Sequence, residues 1–368
     1  MLIAGLSGNM VCILLQNPAM PSILIQPMKR ISLTRIAQEA GVSVSTVSRI
    51  VNGEPGIAET TREHVRTVMH SLGYHARPER VITLLLTDSD ENVFRNTFFL
   101  RVVRGANRSA VEHGYHLMVT FCSDSDDQAT FLESLVPGWI SEGLILTSIE
   151  RGDRSVEYLG EHNVPFCVIG RPENTSKLLW VDNDNFQAMY NAVSDLIDRG
   201  NREIAFVGAN WSRTYIGDRY EGYRQALRQR GLEPDPALCE PPDGQADGFG
   251  SAEALGYERA KRVLSRATPD AIVATDDILA VGVLQALREA GREDIAVLGV
   301  NNSPRADSET PSLSSIDTNA ETLGHSAAEL LIEAVEGHID APAHRIVETR
   351  LVHRDSTAPG RPGRHEPA

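Results

Sequence analysis

From residue 81 onward, the sequence alternates short apolar runs with longer segments of helical periodicity, and this alternation constrains the fold more than any other feature. The apolar runs lie at 81–86, 116–120, 143–146, 166–169, 204–207, 271–274 and 295–300. Repeated strand–helix alternation predicts parallel sheets with helices on both faces. The length allows two such sheets, at roughly 81–181 and 182–317. A last helix near 323–335 and a tail strand near 346–351 are predicted to cross back between them.

Polar residues follow the predicted strands, where ligands of open parallel sheets bind. They are Asp88-Ser-Asp, Ser123-Asp, Thr147-Ser, Gly170-Arg171, Gly208-Ala-Asn-Trp211, Thr275-Asp-Asp277 and Asn301-Asn-Ser. Acids, amides, hydroxyls and an aromatic ring suit a polyhydroxylated ligand, whose hydroxyls need paired donors and acceptors. Asp and Ser after strands are also ordinary helix N-caps, and Trp211 alone is typical of packing, so both interpretations stay open for each residue.

Charge separates a different segment at the other end of the chain. The net charge is −15, and residues 1–27 carry no charged side chain. Residues 28–80 hold eight Lys and Arg residues against five Glu, whereas the rest of the chain is strongly acidic. A mildly basic segment joined to an acidic body points to separate partners for the two parts.

This basic segment has the spacing of a helix-turn-helix. Apolar positions at helical spacing end at Gly41, Ser43 is placed as an N-cap, and a second helix is predicted over 44–52. A third helix follows over about 59–72. The second helix has a polar face that consists of Ser45, Thr46, Ser48, Arg49 and Asn52. Hydroxyls suit phosphates and an arginine can pair with guanine, so DNA binding is favoured over a plain three-helix bundle.

The string Leu33-Thr-Arg-Ile-Ala, then Ala40-Gly-Val-Ser-Val-Ser-Thr-Val-Ser-Arg-Ile-Val-Asn-Gly, closely resembles the DNA-binding head of the lactose-repressor (LacI) family. The resemblance implies that Val44, Ser45 and Arg49 read bases in the major groove. It also places Thr34, Ser43, Thr46 and Asn52 near phosphates.

Two features depart from the family pattern. Arg35 stands where the family usually has Asp, and can either add a phosphate contact or lie on a solvated face. Only seven residues separate Tyr74 from the strand at Ile82. This linker is too short for the family's hinge helix, so we expect little bending of the DNA and no side chain wedged into the minor groove.

The body resembles the same family, whose effector domain shares the fold of periplasmic sugar-binding proteins. The resemblance rests on Asn96-Thr-Phe-Phe, Asp218-Arg-Tyr-Glu-Gly-Tyr and Thr275-Asp-Asp-Ile-Leu-Ala-Val-Gly. It implies that Arg219 and Asp277 bind the effector, and a looser alignment adds Phe249. Together with residues that follow strands, the predicted effector ligands are Arg219, Asp277, Arg171, Asp88, Trp211 and Phe249. The run from Gly170 to Asn185 is most similar to the maltose-operon repressor branch.

Other classes of protein find little support. The sequence contains no GxSxG, HExxH or P-loop motif, and its acidic runs lack the glycine and glutamate of a calcium loop. The four cysteines are far apart and suit a reducing compartment, with neither a disulfide framework nor a zinc site. No apolar stretch is long enough to span a membrane, and the start lacks the basic region of a signal peptide.

The sequence therefore predicts an all-α helix-turn-helix DNA-binding head and an α/β periplasmic-binding-protein-like body of two doubly wound parallel-sheet subdomains. The expected segments are an extension at 1–27, the head at 28–76, a linker at 77–80, subdomains at 81–181 with 318–345 and at 182–317 with 346–357, and a tail at 358–368.

The predicted function is that of a cytoplasmic, nucleoid-associated homodimeric regulator of a carbohydrate-utilisation operon, and the family resemblance implies that it acts as a repressor. It binds a palindromic operator and is controlled allosterically by a sugar, with maltose or another glucoside as candidates. We expect no enzymatic activity, cofactor, metal or membrane partner. A regulator that senses a nucleobase and, more remotely, a sugar-binding transport protein remain alternatives.

Overall fold

The computed structural model divides into two compact units, Met1–Ala76 and Arg77–Ala368. The structure describes residues 32–51, 54–72, 80–87, 96–122, 128–135, 141–147, 149–208, 211–239 and 251–358. The predicted extension at 1–27, linker residues 77–79 and the tail from 359 lie outside these ranges.

The first unit contains the predicted helix-turn-helix. Its helices are α1 (Leu33–Ala40), α2 (Val44–Val51) and α3 (Glu59–Ser71). Ser32 caps the start of α1 by accepting from the Arg35 N–H, and Gly41 ends the helix at φ 65°, a left-handed conformation that glycine adopts without steric cost. The core of this unit consists of Ile36, Ala37, Ala40, Val47, Ile50, Val65 and Met69. The apolar face of α2 is thereby buried and its polar face is left outside.

The second unit contains two sheets, as predicted. Its strands are β1 (Val81–Thr87), β2 (His116–Cys122), β3 (Gly143–Thr147), β4 (Phe166–Ile169), β5 (Leu179–Asn183), β6 (Ile204–Val207), β7 (Ala271–Ala274), β8 (Ala296–Val300), β9 (Ser314–Asp317), β10 (Ala343–Val347) and β11 (Arg350–Val352). The first sheet has the order β10-β5-β4-β3-β1-β2 and the second β11-β9-β8-β7-β6. All strand pairs are parallel except β11 with β9.

Helices cover both sheets. They are α4 (Thr97–Glu112), α5 (Gln128–Leu135), α6 (Arg154–Glu161), α7 (Asn185–Asp198), α8 (Thr214–Gln229), α9 (Ala252–Arg266), α10 (Asp277–Glu289), α11 (Pro304–Ser308) and α12 (Ala320–Val335). In the described part of the chain, no helix is long and apolar enough to cross a membrane.

The apolar runs are buried on both faces because each sheet separates two cores. In β1, Ile82 and Leu84 belong to the core on one face, while Leu85 belongs to the core on the other. In β6, Phe206 and Ala205 divide between two cores in the same way. Successive side chains of a strand point to opposite faces, so a strand covered on both sides favours apolar residues at nearly every position. The fold class predicted from the sequence is confirmed.

The chain passes between the two sheets three times, after Asn183, after Asp317 and after Val347. The sequence predicts one tail strand near 346–351, whereas the structure has two strands there, β10 in the first sheet and β11 in the second. The predicted boundary between 345 and 346 therefore falls inside β10. Glu348 and Thr349 lie between the two strands and take the chain from one sheet to the other.

Several helices of the body approach each other through glycines. A Cβ on Gly324 of α12 would lie 2.0 Å from the carbonyl oxygen of Val102 in α4, and a Cβ on Gly105 would lie 1.8 Å from that of Glu321. The pair α9 and α10 uses Gly256 and Gly282 in the same way. These contacts leave no room for a side chain, so they fix the helices that surround each sheet.

Candidate functional site

Two sites follow from the predictions, and the first is the exposed side of α2. Val44, Ser45 and Arg49, which we call the reading face, are all exposed, with 43% of Val44 accessible. Covering such an exposed apolar side chain with a partner would gain free energy. Val47 and Ile50, on the opposite side, are buried.

Hydroxyl groups surround the start of this helix. Ser43 Oγ accepts from the Thr46 N–H at 3.1 Å, which satisfies a backbone donor of the first turn. The same oxygen lies 2.8 Å from Ser45 Oγ and 2.8 Å from Thr46 Oγ1. The predicted phosphate ligands Ser43 and Thr34 are exposed, Thr46 is half-buried, and Asn52 lies outside the described residues.

Arg49 is held by the loop that follows α2. Its Nε donates to Glu54 Oε2 at 3.0 Å, and a terminal nitrogen donates to the Pro55 carbonyl oxygen at 2.9 Å. The Glu54 N–H in turn donates to the Arg49 carbonyl oxygen. About half of each side chain in the ion pair is exposed, at 47% for Arg49 and 48% for Glu54. The sequence analysis did not identify Glu54.

The second site lies at the carboxyl ends of the strands of the body. Arg219 of α8 is 7% exposed, and its Nε donates to Asn185 Oδ1 at 2.9 Å. A terminal nitrogen donates to the Thr275 carbonyl oxygen at 2.7 Å, and the guanidinium lies 4.9 Å from the centre of the Tyr215 ring. Burial lowers the pKa of Arg219, while Tyr215 and nearby carboxylates, Asp182 and Asp276 among them, act in the opposite direction.

Asp182 lies near this arginine. It is 6% exposed and accepts from the backbone N–H groups of Arg171 and Asn183 and from Asn185 Nδ2. Burial raises the pKa of Asp182 to about 6, although these donors favour its charged form. We call Asp182, Asn185, Arg219 and Asp276 the cleft cluster, because they lie where the chain crosses between the two sheets.

Asp276 is the acid of the Asp276–Asp277 pair that lies close to Arg219. It caps α10 by accepting from the Ile278 N–H, and it also accepts from Asn301 Nδ2 at 2.7 Å. Burial raises its pKa. Asp276 is half-buried and therefore retains some access to solvent.

Asp277, the predicted effector ligand, is turned into the protein. It is 1% exposed, and its carboxylate accepts from the Ser303 N–H and from Ser315 Oγ, both at 2.6 Å. Burial raises the pKa of Asp277 to about 7. A Cβ on Gly299 would lie 2.3 Å from Asp277 Oδ1, which shows how closely β8 covers this carboxylate. An effector could contact Asp277 only if the segments that cover its carboxylate moved apart.

Arg171 bridges the two halves of the body. One terminal nitrogen donates to both carboxylate oxygens of Asp218, at 2.6 and 2.7 Å, and Thr214 Oγ1 donates to the Arg171 carbonyl oxygen. A second bridge is Arg101 of α4, which donates to the carbonyl oxygens of Asn301 and Asn302. Arg171 follows β4 of the first sheet, as the sequence predicts, but its charge is already paired.

The remaining predicted ligands differ in their surroundings. Trp211 packs edge-to-face on Tyr220, with ring centres 5.0 Å apart, and lies against Phe206 of the core. Its indole nitrogen is buried and has no hydrogen-bond partner among the described residues. Asp88 and Phe249 lie outside the described part of the chain.

Sequence reasoning missed Asp182, Asn185 and Tyr215 as neighbours of Arg219. Asp182 lies within β5 and Asn185 follows it; this strand ends in Asp182 and Asn183 and therefore does not form a clean apolar run. Asp276 and Asn301 belong to the polar groups noted after strands. Within the described residues, no group of three or more His, Cys, Asp or Glu side chains could hold a metal ion. Of the cysteines, Cys122, Cys167 and Cys239 are buried.

Comparisons with known proteins give matches for both units of the chain. Residues 32–77 match the family of bacterial regulatory proteins of the lacI type, and residues 193–357 match a periplasmic binding protein-like domain. The transcriptional regulator MalR of Streptococcus pneumoniae serotype 4 is 30% identical over 339 residues, which cover 86% of this chain and 99% of MalR. CelR of Thermobifida fusca is 29% identical over 343 residues, 89% of this chain and 98% of CelR.

A solved structure described as a transcriptional regulator CelR–cellobiose complex superposes with a TM-score of 0.70 at 29% identity, covering 89% of this chain and all of that one. The match spans the head and the body together. The resemblance predicted from the helix-turn-helix string and from the body segments is therefore confirmed. The chain is a DNA-binding transcriptional regulator and belongs to the LacI family.

Proposed function

We propose that this regulator binds a palindromic operator as a homodimer and that a sugar bound at the cleft cluster changes its affinity for that operator. A helix-turn-helix head reads one half-site, so a two-fold symmetric operator needs two heads. The regulated genes would serve carbohydrate utilisation, with the protein acting as a repressor. We further propose that it acts in the cytoplasm, on the nucleoid, and catalyses no reaction.

On the head, we propose that Val44, Ser45 and Arg49 contact bases and that Thr34, Ser43, Thr46 and Asn52 contact phosphates. The observation in support is the division of α2 into a buried apolar side and an exposed reading face. An exposed valine can contact a thymine methyl group, while a serine and an arginine supply the donors that read base edges.

In the body, the observation that carries the proposal is the buried arginine of the cleft cluster. A guanidinium that is 7% exposed and surrounded by carboxylates and amides is costly to assemble, and such an array recurs where a polar ligand must be recognised. Arg219 offers donors and Asp276 an acceptor. Adjacent hydroxyls of a sugar need this combination.

The remaining predicted ligands enter the proposal with different roles. Arg171 would meet the sugar at the rim, where its side chain is 42% exposed, and Trp211 would offer a ring face or its unpartnered indole N–H. Asp277, Asp88 and Phe249 stay as predicted contacts. Similarity to a regulator solved with cellobiose favours a glucoside as the ligand.

The subdomain bridges suggest how the sugar would act on the operator. Arg171 with Asp218, and Arg101 with the Asn301–Asn302 backbone, join the two halves of the body beside the cleft cluster. A sugar that prefers one closure angle of these halves shifts the population toward that angle. If the operator prefers the other angle, the two ligands oppose each other.

A thermal-shift screen of the full chain tests the ligand class. Cellobiose, maltose, glucose and hypoxanthine are each added at increasing concentration, because a bound ligand raises the melting temperature by mass action. We expect a disaccharide to raise it and Arg219→Ala to abolish the response, while Arg224→Ala on the exposed side of the same helix retains it. A response to hypoxanthine alone would identify a nucleobase sensor instead.

A further inference from the structure

The contact between Arg49 and Glu54 has a consequence for DNA recognition beyond the proposed base contact itself. The guanidinium has five N–H groups. Its Nε and one terminal nitrogen donate to Glu54 and to the Pro55 carbonyl oxygen. These two bonds use two of the five N–H groups. The other three lie on the two terminal nitrogens, at the terminal edge of the planar group, and can pair with a base.

The loop that carries Glu54 is itself fixed from two sides. The Glu54 N–H donates to the Arg49 carbonyl oxygen at 2.9 Å, which joins the loop to α2. A terminal nitrogen of Arg62, on α3, donates to the Glu54 carbonyl oxygen at 3.0 Å. The Glu54 backbone is therefore held at a defined place beside Arg49, within reach of its guanidinium.

Two opposing effects follow from this position. A free arginine side chain samples many rotamers and must lose them to pair with a base, whereas a guanidinium already held by two hydrogen bonds loses fewer. In contrast, a carboxylate beside the DNA-binding surface repels phosphates of every sequence. The first effect helps only the correct base, and the second weakens binding to all duplexes.

We propose that Glu54 is a positioning residue that sets operator specificity by holding Arg49 with its terminal edge directed outward. This inference rests on the proposed function, in which α2 reads bases. Glu54 lowers affinity for random DNA and preserves affinity for the operator, so the ratio of operator affinity to random-DNA affinity rises.

The test uses the full chain and a duplex selected by the wild-type protein from a randomised pool. A second duplex has a base pair replaced at the guanine that Arg49 reads, identified by loss of discrimination in Arg49→Ala, and a third is scrambled. Dissociation constants are measured at one fixed salt concentration for wild type, Glu54→Ala, Glu54→Gln, Arg49→Ala and the double variant. Glu39→Ala removes an equal charge from α1 as the matched control.

We expect Glu54→Ala to bind the scrambled duplex more tightly and to lose at least about fivefold in discrimination at the guanine position. Glu54→Gln keeps a hydrogen-bond acceptor and should retain more of this discrimination than Glu54→Ala. The double variant Arg49→Ala/Glu54→Ala should discriminate as Arg49→Ala alone does, because the guanidinium that Glu54 holds is absent from both. Glu39→Ala should leave discrimination unchanged.

Two results would overturn the inference, and they have different meanings. If Arg49→Ala loses discrimination and Glu54→Ala and Glu54→Gln keep it, Glu54 has no positioning role, while the reading face stands. If Arg49→Ala leaves discrimination intact at every guanine, the proposed function of α2 fails, and the inference fails with it.

Discussion

Arg49 of the head and Arg219 of the body have the same side chain but differ in exposure and in the kind of group that each one contacts. Arg49 is 47% exposed, and its partners are a half-exposed carboxylate and a loop carbonyl. Arg219 is 7% exposed, and its partners are a buried amide and a buried carbonyl oxygen. A polymer such as DNA can be reached only by side chains that project, whereas a small polar ligand is best recognised where water is excluded.

This difference determines what each region contributes to stability. Exposed ion pairs are worth little because water and salt screen them. Buried charged groups are costly to place, and removing one partner leaves the others unpaired. We therefore expect substitutions at the reading face to alter function with little change in stability, and substitutions in the cleft cluster to alter both.

Arg219→Ala should have the largest effect. It leaves Asn185 Oδ1 and the Thr275 carbonyl oxygen without their donor and removes the cation that balances Asp182 and Asp276. We expect a loss of about 3–5 kcal/mol in the free energy of unfolding, measured with urea. Arg224→Ala, whose pair with Glu221 is on the surface, should cost less than about 1 kcal/mol. Equal losses for the two variants would contradict the comparison.

The pH dependence of stability should reveal Asp277, one of the acids of the body whose pKa is raised by burial. Folded Asp277 holds its proton to about pH 7, whereas the unfolded chain releases it near 3.8. The folded state thus binds more protons in this window, so the contribution is complete below pH 3.8 and is lost as pH rises to about 7. A pKa difference of about three between the folded and the unfolded chain corresponds to a loss of stability on the order of 4 kcal/mol.

Urea unfolding of wild type and Asp277→Asn from pH 4 to pH 7.5 isolates this contribution. The advantage of wild type over the variant should fall as the pH rises through the window. Asp340→Asn, at an exposed position, should show no such trend. A constant difference between wild type and Asp277→Asn would mean that Asp277 is ionised throughout.

Gly324→Ala tests the close helix packing that is specific to the body. The new methyl group would lie 2.0 Å from the Val102 carbonyl oxygen, so α4 and α12 must separate. We expect a loss of about 3 kcal/mol in the free energy of unfolding. Gly160→Ala in α6 is the control, since no atom lies within 4 Å of its added Cβ. It should be neutral or stabilise the protein by up to about 1 kcal/mol.

Asp218→Asn should have the smallest effect on stability, because its ion pair with Arg171 is partly exposed, as is the pair of Arg49 with Glu54 in the head. The pair with Arg171 has side chains that are 42% and 27% exposed. We expect a change of less than about 1 kcal/mol in the free energy of unfolding. A loss as large as that of Arg219→Ala would show that the rim is as tightly coupled as the buried cluster.

Periodicity predicted most of the fold, and its failures have physical causes. Runs such as 204–207 and 271–274 are strands with the predicted bounds, since strands buried on both faces favour apolar residues. The strand at Ser314–Asp317 escaped prediction because its buried hydroxyls bond to neighbouring segments, as Ser314 does with Thr357 and Ser315 with Asp277. Internal partners let a polar sequence occupy a core.

For the site, the sequence predicted which loops converge but could not predict the direction of each side chain. Asp276 and Asp277 are adjacent and identical in type, yet one caps α10 beside Arg219 and the other points under β8. The difference depends on Ser303 and Ser315, which are 26 and 38 residues away along the chain. Likewise, nothing in the local pattern of α2 shows that Glu54 holds Arg49.

The central claim is that the exposed reading face and the buried cleft cluster belong to one coupled regulator. The most direct test measures the dissociation constant of the full chain for its selected duplex, by fluorescence anisotropy, with and without saturating cellobiose or whichever sugar raises the melting temperature. We predict a change of about 5–150-fold in wild type and none in Arg219→Ala, which should still bind the duplex. A sugar that binds without altering the dissociation constant in wild type would contradict the account.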